Sequence, residues 1–316
     1  MEVKYRTGRE MGQSASAHII QSLIANSVVA VAKGIAAALT GSGALLAETI
    51  HTAADCGNQV LLLFGVKRSQ KPPTQDHPLG YGRAMYFWSF IVALMLFSGG
   101  GVFSIYEGFH KLHHPEPVEL VGVGVAILLF SLAVEGWATL GNIAELNKRR
   151  GETPFLTYLR KTKDSDLIVV FGENAAASLG LVVALFALLL AWITGDSRYD
   201  ALGSVGIGVI LVGVAVFLAI EIKSLLLGES AGGDLEVAIK NVLSREPRVT
   251  KLLHFISLQQ GPGQVLVLMK LGFQEGLRFE EMADVINTVE QSLRKERPEV
   301  RWCFIEPDRP RAVAAA

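Results

Sequence analysis

The stretch Ala47-Glu48-Thr49-Ile50-His51-Thr52-Ala53-Ala54-Asp55-Cys56-Gly57-Asn58 places polar and ionisable residues inside a long apolar segment. Apolar residues flank it on both sides, from Gly43 to Leu46 and from Val60 to Val66. Because His51 and Asp55 are four residues apart, they share one face of a helix. Ionisable groups at membrane depth are costly and usually face a bundle interior or an aqueous path. A neutral imidazole and a carboxylate one turn apart also make half of a tetrahedral divalent-metal site.

The composition of the whole chain is that of a membrane protein. Its 316 residues are 50% hydrophobic and 19% charged, with a mean hydropathy of +0.38, whereas soluble domains carry about 25% charged residues. The net charge of −1 argues against nucleic acid as a partner. The two cysteines, Cys56 and Cys303, are far apart and do not support a disulfide framework. We expect no cleaved signal peptide, because residues 1–16 are polar and the first apolar run is too long.

Six segments are apolar and long enough to predict membrane-spanning helices, since a hydrocarbon core of about 30 Å requires about 20 such residues. They are His18–Leu39, Ala44–Val66, Met85–Phe109, Val118–Gly141, Leu167–Ile193 and Ala201–Leu227. Glycines in the third and sixth segments suit close helix packing: Gly99, Gly100, Gly101, Gly203, Gly206, Gly208 and Gly213. The prediction is an all-α membrane domain of six helices.

Lysine and arginine are unevenly distributed among the loops, and this bias predicts the orientation in the membrane. The loops on one side are basic: Lys4, Arg6, Arg9; Lys67, Arg68, Lys71, Arg83; Lys148, Arg149, Arg150, Arg160, Lys161 and Lys163. The alternate loops contribute only Lys111 and Arg198. We therefore expect a multi-pass protein with both termini in the cytoplasm, in a bacterial inner membrane or, alternatively, an organellar membrane.

After Leu227, shorter amphipathic segments replace the apolar runs. Helices are predicted over Asp234–Arg245 and Phe279–Glu296, and strands over Val249–Leu258, Gln264–Phe273 and Val300–Ile305. This αββαβ order predicts a small cytoplasmic α+β domain. The predicted boundaries are 1–17 for a cytoplasmic arm, 18–227 for the six-helix transmembrane domain, 228–308 for the αββαβ domain and 309–316 for a tail.

A second polar group lies in the fifth predicted span, where Glu173 and Asn174 interrupt a run of Val, Phe and Ala. A lone glutamate at this depth requires a partner, and His51 with Asp55 are the obvious candidates. Two carboxylates and a neutral imidazole would balance a divalent cation, with water or Asn174 as a fourth ligand. The residues therefore predict a metal site formed by His51, Asp55 and Glu173. The alternative is an ion-pair or hydrogen-bond network that holds two helices together.

Further polar residues in the spans have roles that the sequence leaves open. Asn58, three residues after Asp55, is expected to hydrogen-bond a ligand rather than to bind the ion. Glu48 either lines a path or extends to the lumenal interface, while Asn26 and Glu135 contribute to packing or to the path. Lys33 is expected to extend to the interface or to pair with a carboxylate.

Together these features resemble the cation diffusion facilitator family. The loop Asp76-His77-Pro78-Leu79-Gly80-Tyr81-Gly82-Arg83 is similar to the family's His-Pro-x-Gly-x-Gly-Lys/Arg signature, and His51-x-x-x-Asp55 matches its second helix. The resemblance extends from Leu23 to about Pro307. It implies a homodimeric antiporter that moves zinc or a related divalent cation out of the cytosol in exchange for protons. It also implies a transport site on helices two and five and a ferredoxin- or metallochaperone-like cytoplasmic domain.

The sequence departs from the family pattern within the candidate sites. Glu173 and Ala177 stand where many zinc-transporting members have a His-x-x-x-Asp pair. In this segment the sequence looks most like the branch of the ninth human zinc-transporter paralogue and its bacterial relatives. Manganese, iron or cobalt are therefore alternatives to zinc, since oxygen-rich sites tolerate them better. Tyr81 replaces the second histidine of the loop, which leaves Asp76 and His77 as a candidate loop site.

In the cytoplasmic domain, His254 is the one histidine, with Glu306 and Asp308 near the end of the domain, so we do not predict the family's cytoplasmic zinc cluster. No prosthetic group and no catalytic residue are predicted. Two other classes remain as hypotheses: an intramembrane metallohydrolase, for which no His-Glu-x-x-His motif exists, and a non-transporting scaffold or metal-sensing regulator. Metal flux distinguishes a transporter from a regulator, and peptide cleavage would identify a hydrolase.

Overall fold

The computed structural model describes residues 8–115, 117–118, 120–163 and 165–309, without the side chains of 8–19, 21, 22, 25, 161 and 166. Long helices form the part of the chain before residue 228. They are α1 (Gly8–Thr40), α2 (Gly43–Ser69), α3 (Ala84–Met95), α4 (Phe103–His113), α5 (Val121–Arg150), α6 (Phe155–Lys161), α7 (Ser165–Thr194) and α8 (Arg198–Leu227). A π-helical segment, Leu96–Val102, joins α3 to α4.

Within the described residues, four stretches are long and apolar enough to cross a membrane: Ala84–His113, Val121–Arg150, Leu167–Thr194 and Arg198–Leu227. Their outward faces expose large apolar side chains such as Trp137, Trp192 and Ile193, as expected of a lipid-facing surface. The helices α1 and α2 have 33 and 27 residues, but polar residues lower the hydropathy of α2. Where the side chains of α1 are described, Asn26–Thr40 forms a shorter apolar stretch, so the count of six spans stays a prediction.

The first and fourth predicted spans differ from the structure in their boundaries. The first helix already includes Gly8, the first described residue, and thus extends into the expected arm beyond the predicted span start at His18; residues 1–7 lie outside the described part. The fourth predicted span begins at Val121 rather than Val118, after Leu120 adopts a left-handed conformation with φ 44°. Its helix continues to Arg150 instead of ending at Gly141. The residues after Gly141 are more polar, but several of them have a high helix propensity.

Glycines allow α8 to approach the π-helical segment and α4 closely. A Cβ at Gly101 would lie 2.6 Å from Val212 Cγ2, and one at Gly208 would lie 2.7 Å from the Gly101 carbonyl oxygen. A Cβ at Gly108 would similarly lie 2.8 Å from the Ala201 carbonyl oxygen. Small residues at these positions therefore let the backbones of the two elements touch.

The carboxy-terminal part folds as α9 (Gly233–Leu243), β1 (Val249–Gly261), β2 (Gln264–Phe273), α10 (Phe279–Glu296) and β3 (Val300–Pro307). The sheet order is β1-β2-β3, with β1 antiparallel and β3 parallel to β2. The alternating residues Val265, Val267, Met269 and Leu271 enter a core that also contains Val285, Val289 and Leu293 of α10. The hairpin turn is shorter than predicted, because β1 continues to Gly261 and only Pro262 and Gly263 remain outside the strands.

The chain divides into two compact units. One comprises Ser14–Arg68 and Ala84–Lys223, which hold the long helices. The other includes the loop Ser69–Arg83 together with the chain from Ser224 onward. All the ionisable residues described below for the helical core belong to the first unit.

Candidate functional site

The pair His51 and Asp55 lies in the interior of the helical unit, on the buried face of α2. His51 is fully buried and Asp55 is 5% exposed, and His51 Nε2 is 3.6 Å from Asp55 Oδ2. Among the described residues, neither ring nitrogen of His51 nor Asp55 Oδ1 has a hydrogen-bond partner. Buried polar atoms are nearly always satisfied in folded proteins. These unpaired nitrogen and oxygen atoms are therefore suited to a ligand.

The carboxylate of Glu173 approaches α2 from α7. Glu173 is 5% exposed, and its Oε1 accepts a hydrogen bond of 2.7 Å from Nδ2 of the fully buried Asn58. Asn58 lies three residues after Asp55 on α2, so the bond links the two helices next to the His51–Asp55 pair. Asn58 Oδ1 has no partner among the described residues, which leaves another acceptor oxygen in the same region.

The structure does not bring the three predicted ligands together around one point. In residues 8–309, where described, no three His, Cys, Asp or Glu side chains are grouped closely enough to hold a metal ion. His51 contacts Asp55, whereas Glu173 contacts Asn58. The His51–Asp55 pair lies on α2, and Glu173 lies on α7. A cation bound by all three ligands therefore requires these side chains to move toward one another.

The π-helical segment lies beside His51, a neighbour that sequence reasoning missed. A Cβ at Gly100 would lie 3.9 Å from His51 Nδ1 and 3.3 Å from a methyl of Leu211. The sequence predicts close packing for the run Gly99-Gly100-Gly101, and Gly101 does pack against α8. Isolated π-helical turns frequently occur at functional sites, so a triple glycine within a span is the signal that could have indicated this neighbour.

A second group of buried charges lies near the pair. Lys33 Nζ on α1 donates hydrogen bonds to Glu48 Oε2 at 3.2 Å, Glu135 Oε1 at 2.8 Å and Thr52 Oγ1 at 2.9 Å. Lys33 and Glu48 are fully buried, so neither extends to an interface. Lys33 is thus paired with carboxylates, one of its two predicted outcomes. We call this group, Lys33, Glu48 and Glu135, the lysine cluster.

Asn26 and Asn174, the other two asparagines that the sequence analysis names, lie at half-buried positions. Asn26 is half-buried on α1, one residue before Ser27, whose hydroxyl is 3.6 Å from Cys56 Sγ. Asn174 is half-buried on α7, and its backbone carbonyl accepts a hydrogen bond of 3.0 Å from Thr139 Oγ1.

The candidate loop site lies in the other unit. Asp76 and His77 are exposed, and the His77 ring stacks on Tyr81 with 4.3 Å between ring centroids. The loop then packs against the β1–β2 hairpin, since a Cβ at Gly82 would lie 2.5 Å from the Gln260 carbonyl oxygen. This contact gives a physical reason for glycine at the signature position.

The acidic residues near the carboxy terminus pair with a lysine. Lys270 Nζ lies 2.9 Å from Glu306 Oε1 and 3.5 Å from Asp308 Oδ2. The hydrogen bond that the Lys270 ammonium donates to Glu306 raises the pKa of Lys270 and keeps it charged. His254 is exposed on β1 opposite Lys270 in the strand register. Glu306 and Asp308 thus form ion pairs with Lys270 at the sheet, and His254 lies on the neighbouring strand.

Asp200 positions the start of α2, and the sequence reasoning did not identify it. Its carboxylate accepts hydrogen bonds from the Ser42 hydroxyl and the Gly43 amide, both at 2.6 Å. A carboxylate at a helix amino terminus satisfies free amides and complements the helix dipole. The contact ties α2 to α8 and thereby fixes the rotation at which α2 presents its polar face.

Long apolar helices that bury ionisable side chains at their core define an integral membrane protein with an internal polar site. Residues 19–227 match the family model described as the cation efflux transmembrane domain. The chain therefore belongs to the cation efflux family, and the resemblance to cation diffusion facilitators is confirmed. Membership in a family of transporters agrees with the expectation that the chain is not an enzyme.

Curated relatives support the same family. The chain is 32% identical over 257 residues to the mitochondrial proton-coupled zinc antiporter SLC30A9 of Xenopus laevis, covering 81% of this chain and 46% of that protein. The human protein of that name is 33% identical over 236 residues, covering 74% and 42%. The cation-efflux pump FieF of Yersinia enterocolitica is 27% identical over 259 residues, covering 82% and 81%. The chain thus spans less than half the length of the two SLC30A9 relatives.

Proposed function

We propose that this protein exports a divalent metal cation, with zinc as the favoured ion, in exchange for protons. The observation that carries the proposal is a set of buried atoms that have no hydrogen-bond partner in the described part of the chain: both ring nitrogens of His51 and Asp55 Oδ1. The neighbouring helix α7 contributes Glu173, which bonds Asn58 of the same helix as His51. The printed names of the SLC30A9 relatives, which describe proton-coupled zinc antiport, support the choice of ion and counter-ion.

Transport follows from alternating access to a site formed by α2 and α7. His51, Asp55 and Glu173 converge on the cation, and Asn58 holds Glu173 in position. Binding requires a neutral imidazole and two ionised carboxylates, so it releases protons from the site. Protonation of the same groups on the far side of the membrane then displaces the ion. Metal and protons therefore compete for one set of atoms.

The selectivity of the site depends on its ligand types. One imidazole nitrogen and two carboxylates favour zinc less strongly than a site with two histidines. Export of manganese, iron or cobalt is the alternative, because these ions accept oxygen-rich coordination. Ala177, one turn after Glu173, contributes no ligand, and water or Asn174 would supply the fourth.

The architecture that we propose for this function has six spans and both termini in the cytoplasm. The domains are the arm 1–17, the transmembrane domain 18–227, the cytoplasmic domain 228–308 and the tail 309–316. The working form is a homodimer in a bacterial inner membrane, with an organellar membrane as the alternative. The basic loops before α1, between α2 and α3 and between α5 and α7 support this orientation.

The test is metal uptake by liposomes that contain the purified protein, with zinc, manganese, iron and cobalt compared under an imposed pH gradient. We expect zinc flux that collapses when the gradient is removed and that falls to background in Asp55→Ala, because a charged ligand is lost. Ala53→Ser changes an exposed position on the same helix and is expected to retain full flux.

Each other outcome has a definite meaning. Flux that survives Asp55→Ala would remove this residue from the site. Zinc binding by the wild-type protein without flux of any of the four ions would favour the metal-sensing regulator. Uptake of manganese, iron or cobalt at rates equal to zinc would show that the carboxylates, rather than His51, determine selectivity.

A further inference from the structure

The lysine cluster has features that the metal site leaves unexplained. It joins three helices, since Lys33 is on α1, Glu48 on α2 and Glu135 on α5. The side chains of Lys33 and Glu48 are fully buried, and that of Glu135 is 9% exposed. The three ammonium hydrogens have three acceptors: Glu48, Glu135 and the Thr52 hydroxyl. The ammonium is thus fully satisfied.

The carboxylates of the cluster are not satisfied. Two carboxylates face one ammonium, so the cluster carries a net charge of −1 when both are ionised. In the described part of the chain, Glu48 Oε1 and Glu135 Oε2 have no hydrogen-bond partner. A buried, uncompensated negative charge is strongly disfavoured. One proton on either free oxygen makes the cluster neutral without disturbing the Lys33 hydrogen bonds.

Among the side chains that the structure describes, no other buried lysine or arginine accompanies the cluster. Glu48 packs against the backbone of Gly180 on α7, where a side chain would collide with its free oxygen. The other ionisable groups facing this region are His51 and Asp55, one and two turns further along α2, and Glu173 on α7. They are the candidate metal ligands. Neutral His51 contributes no charge and the two carboxylates contribute negative charge, so none of the three compensates the cluster until a cation binds.

Position along α2 connects the cluster with the metal site. Glu48 precedes His51 by three residues, which corresponds to a rise of about 4.5 Å along a helix. At such separations, charges interact strongly in a low-dielectric interior. A divalent cation held by His51, Asp55 and Glu173 would repel the proton of the cluster, and that proton would oppose binding of the cation.

We propose that the lysine cluster is a proton-carrying site separate from the metal site. The inference rests on the proposed metal/proton exchange and names a second place where the counter-ion is held. A carboxyl oxygen of Glu48 or Glu135 holds one proton while the metal site is empty. When the cation binds, that O–H bond breaks, the proton leaves to water, and the carboxylate keeps the electron pair.

The test measures protons released when zinc binds to the purified protein in weakly buffered detergent solution, with zinc affinity measured in parallel. Glu135→Gln keeps the oxygen that accepts from Lys33 but leaves one carboxylate against one ammonium. We expect this variant to bind zinc within a few-fold of the wild-type affinity and to release about one proton fewer per zinc. Glu48→Gln is expected to behave in the same way.

Transport supplies a second readout. In liposomes, Glu135→Gln is expected to retain zinc-for-zinc exchange, which moves no net protons. Its zinc accumulation driven by a pH gradient is expected to be at least tenfold lower than that of the wild type. The control is Ser131→Ala, which removes a buried polar group one turn before Glu135 on α5. It is expected to keep both the wild-type proton release and the pH-driven accumulation.

The outcomes separate this inference from the proposed function. Wild-type protein without proton-coupled zinc flux would defeat the proposed function itself. Wild-type proton release by both Glu48→Gln and Glu135→Gln, with wild-type flux intact, would defeat only the inference. Loss of zinc binding by both variants, or failure of both to fold, would show that the cluster holds the helices together and would also overturn it.

Discussion

Asn58 is the residue that orients the carboxylate of α7 toward α2. It is fully buried, and its amide donates the 2.7 Å hydrogen bond to Glu173. A carboxylate without such a donor is free to change rotamer, so its position would depend on the metal alone. Removing a residue that hydrogen-bonds a metal ligand typically weakens metal binding by about 10- to 100-fold.

Substitution of Asn58 tests this role. We expect Asn58→Ala to weaken zinc binding about 10- to 100-fold, because Glu173 loses its orienting donor. Equilibrium zinc titration of the purified protein measures the effect. Asn174→Ala is the comparison on α7: equal loss in that variant would identify Asn174 as the fourth ligand. Unchanged affinity in Asn58→Ala would show that Glu173 needs no partner.

At the scale of secondary-structure elements, glycine positions determine how closely α8 packs. Gly208 faces the π-helical segment and α4, where a Cβ would lie 2.6 Å from Ile105 Cγ1 and 2.8 Å from its amide nitrogen. Gly213 lies on the same helix with no atom within 4 Å of its would-be Cβ. The two positions thus form a matched pair of contacting and open sites.

This pair leads to a stability prediction. Gly208→Ala is expected to destabilise the protein by about 1–3 kcal/mol, because backbone atoms cannot move aside cheaply. Gly213→Ala is expected to be neutral or slightly stabilising, since alanine is the better helix former. Thermal unfolding in detergent measures both. Equal melting temperatures for Gly208→Ala and the wild type would show that α8 can shift without cost.

In the carboxy-terminal domain, strand β3 places Cys303 against the hydrophobic core. Burial raises the pKa of the Cys303 thiol to about 12. Because the thiolate is the reactive form, alkylation at pH 8 is expected to be on the order of 10³-fold slower than for a free thiol. A Cys56→Ala background isolates the signal, and denaturant should restore labelling. Rapid labelling of the folded protein would contradict the packing of β3.

At the scale of the whole molecule, the carboxy-terminal domain is small. Its core consists of residues from α9, α10 and the three strands, and domains of this size are marginally stable alone. A second copy of the chain is the partner that the family resemblance implies. Association would bury further surface of the domain and stabilise it.

Light scattering of the purified protein tests the homodimer. We expect a protein mass of twice the 34.0 kDa of one chain. The mass is expected to be the same with and without zinc, because a permanent dimer interface does not depend on the transported ion. A mass of one chain at all concentrations would contradict the dimer. A mass that doubles only with zinc would show that the ion itself joins two copies.

Local patterns were sufficient to locate most elements. Hydrophobic runs predicted α2, α7 and α8 to within a few residues, and alternation predicted β2 at its observed boundaries. The first and fourth spans are exceptions, since α1 already includes Gly8 and the helix of the fourth span extends through polar residues to Arg150. Hydropathy reports where a chain leaves an apolar environment, whereas a helix ends only where its hydrogen bonds end.

The candidate ligands His51, Asp55 and Glu173 could be named from the sequence because ionisable residues within apolar spans are rare. Their partners could not. Lys33 pairs with residues 15 and 102 positions away, and Asn58 bonds a residue 115 positions away. Burial requires that each charge be paired, but several carboxylates satisfy that requirement equally well in the sequence. Only the rotation and packing of α1, α2, α5 and α7 select the partner, because hydrogen bonds form over about 3 Å and depend on where each helix face points.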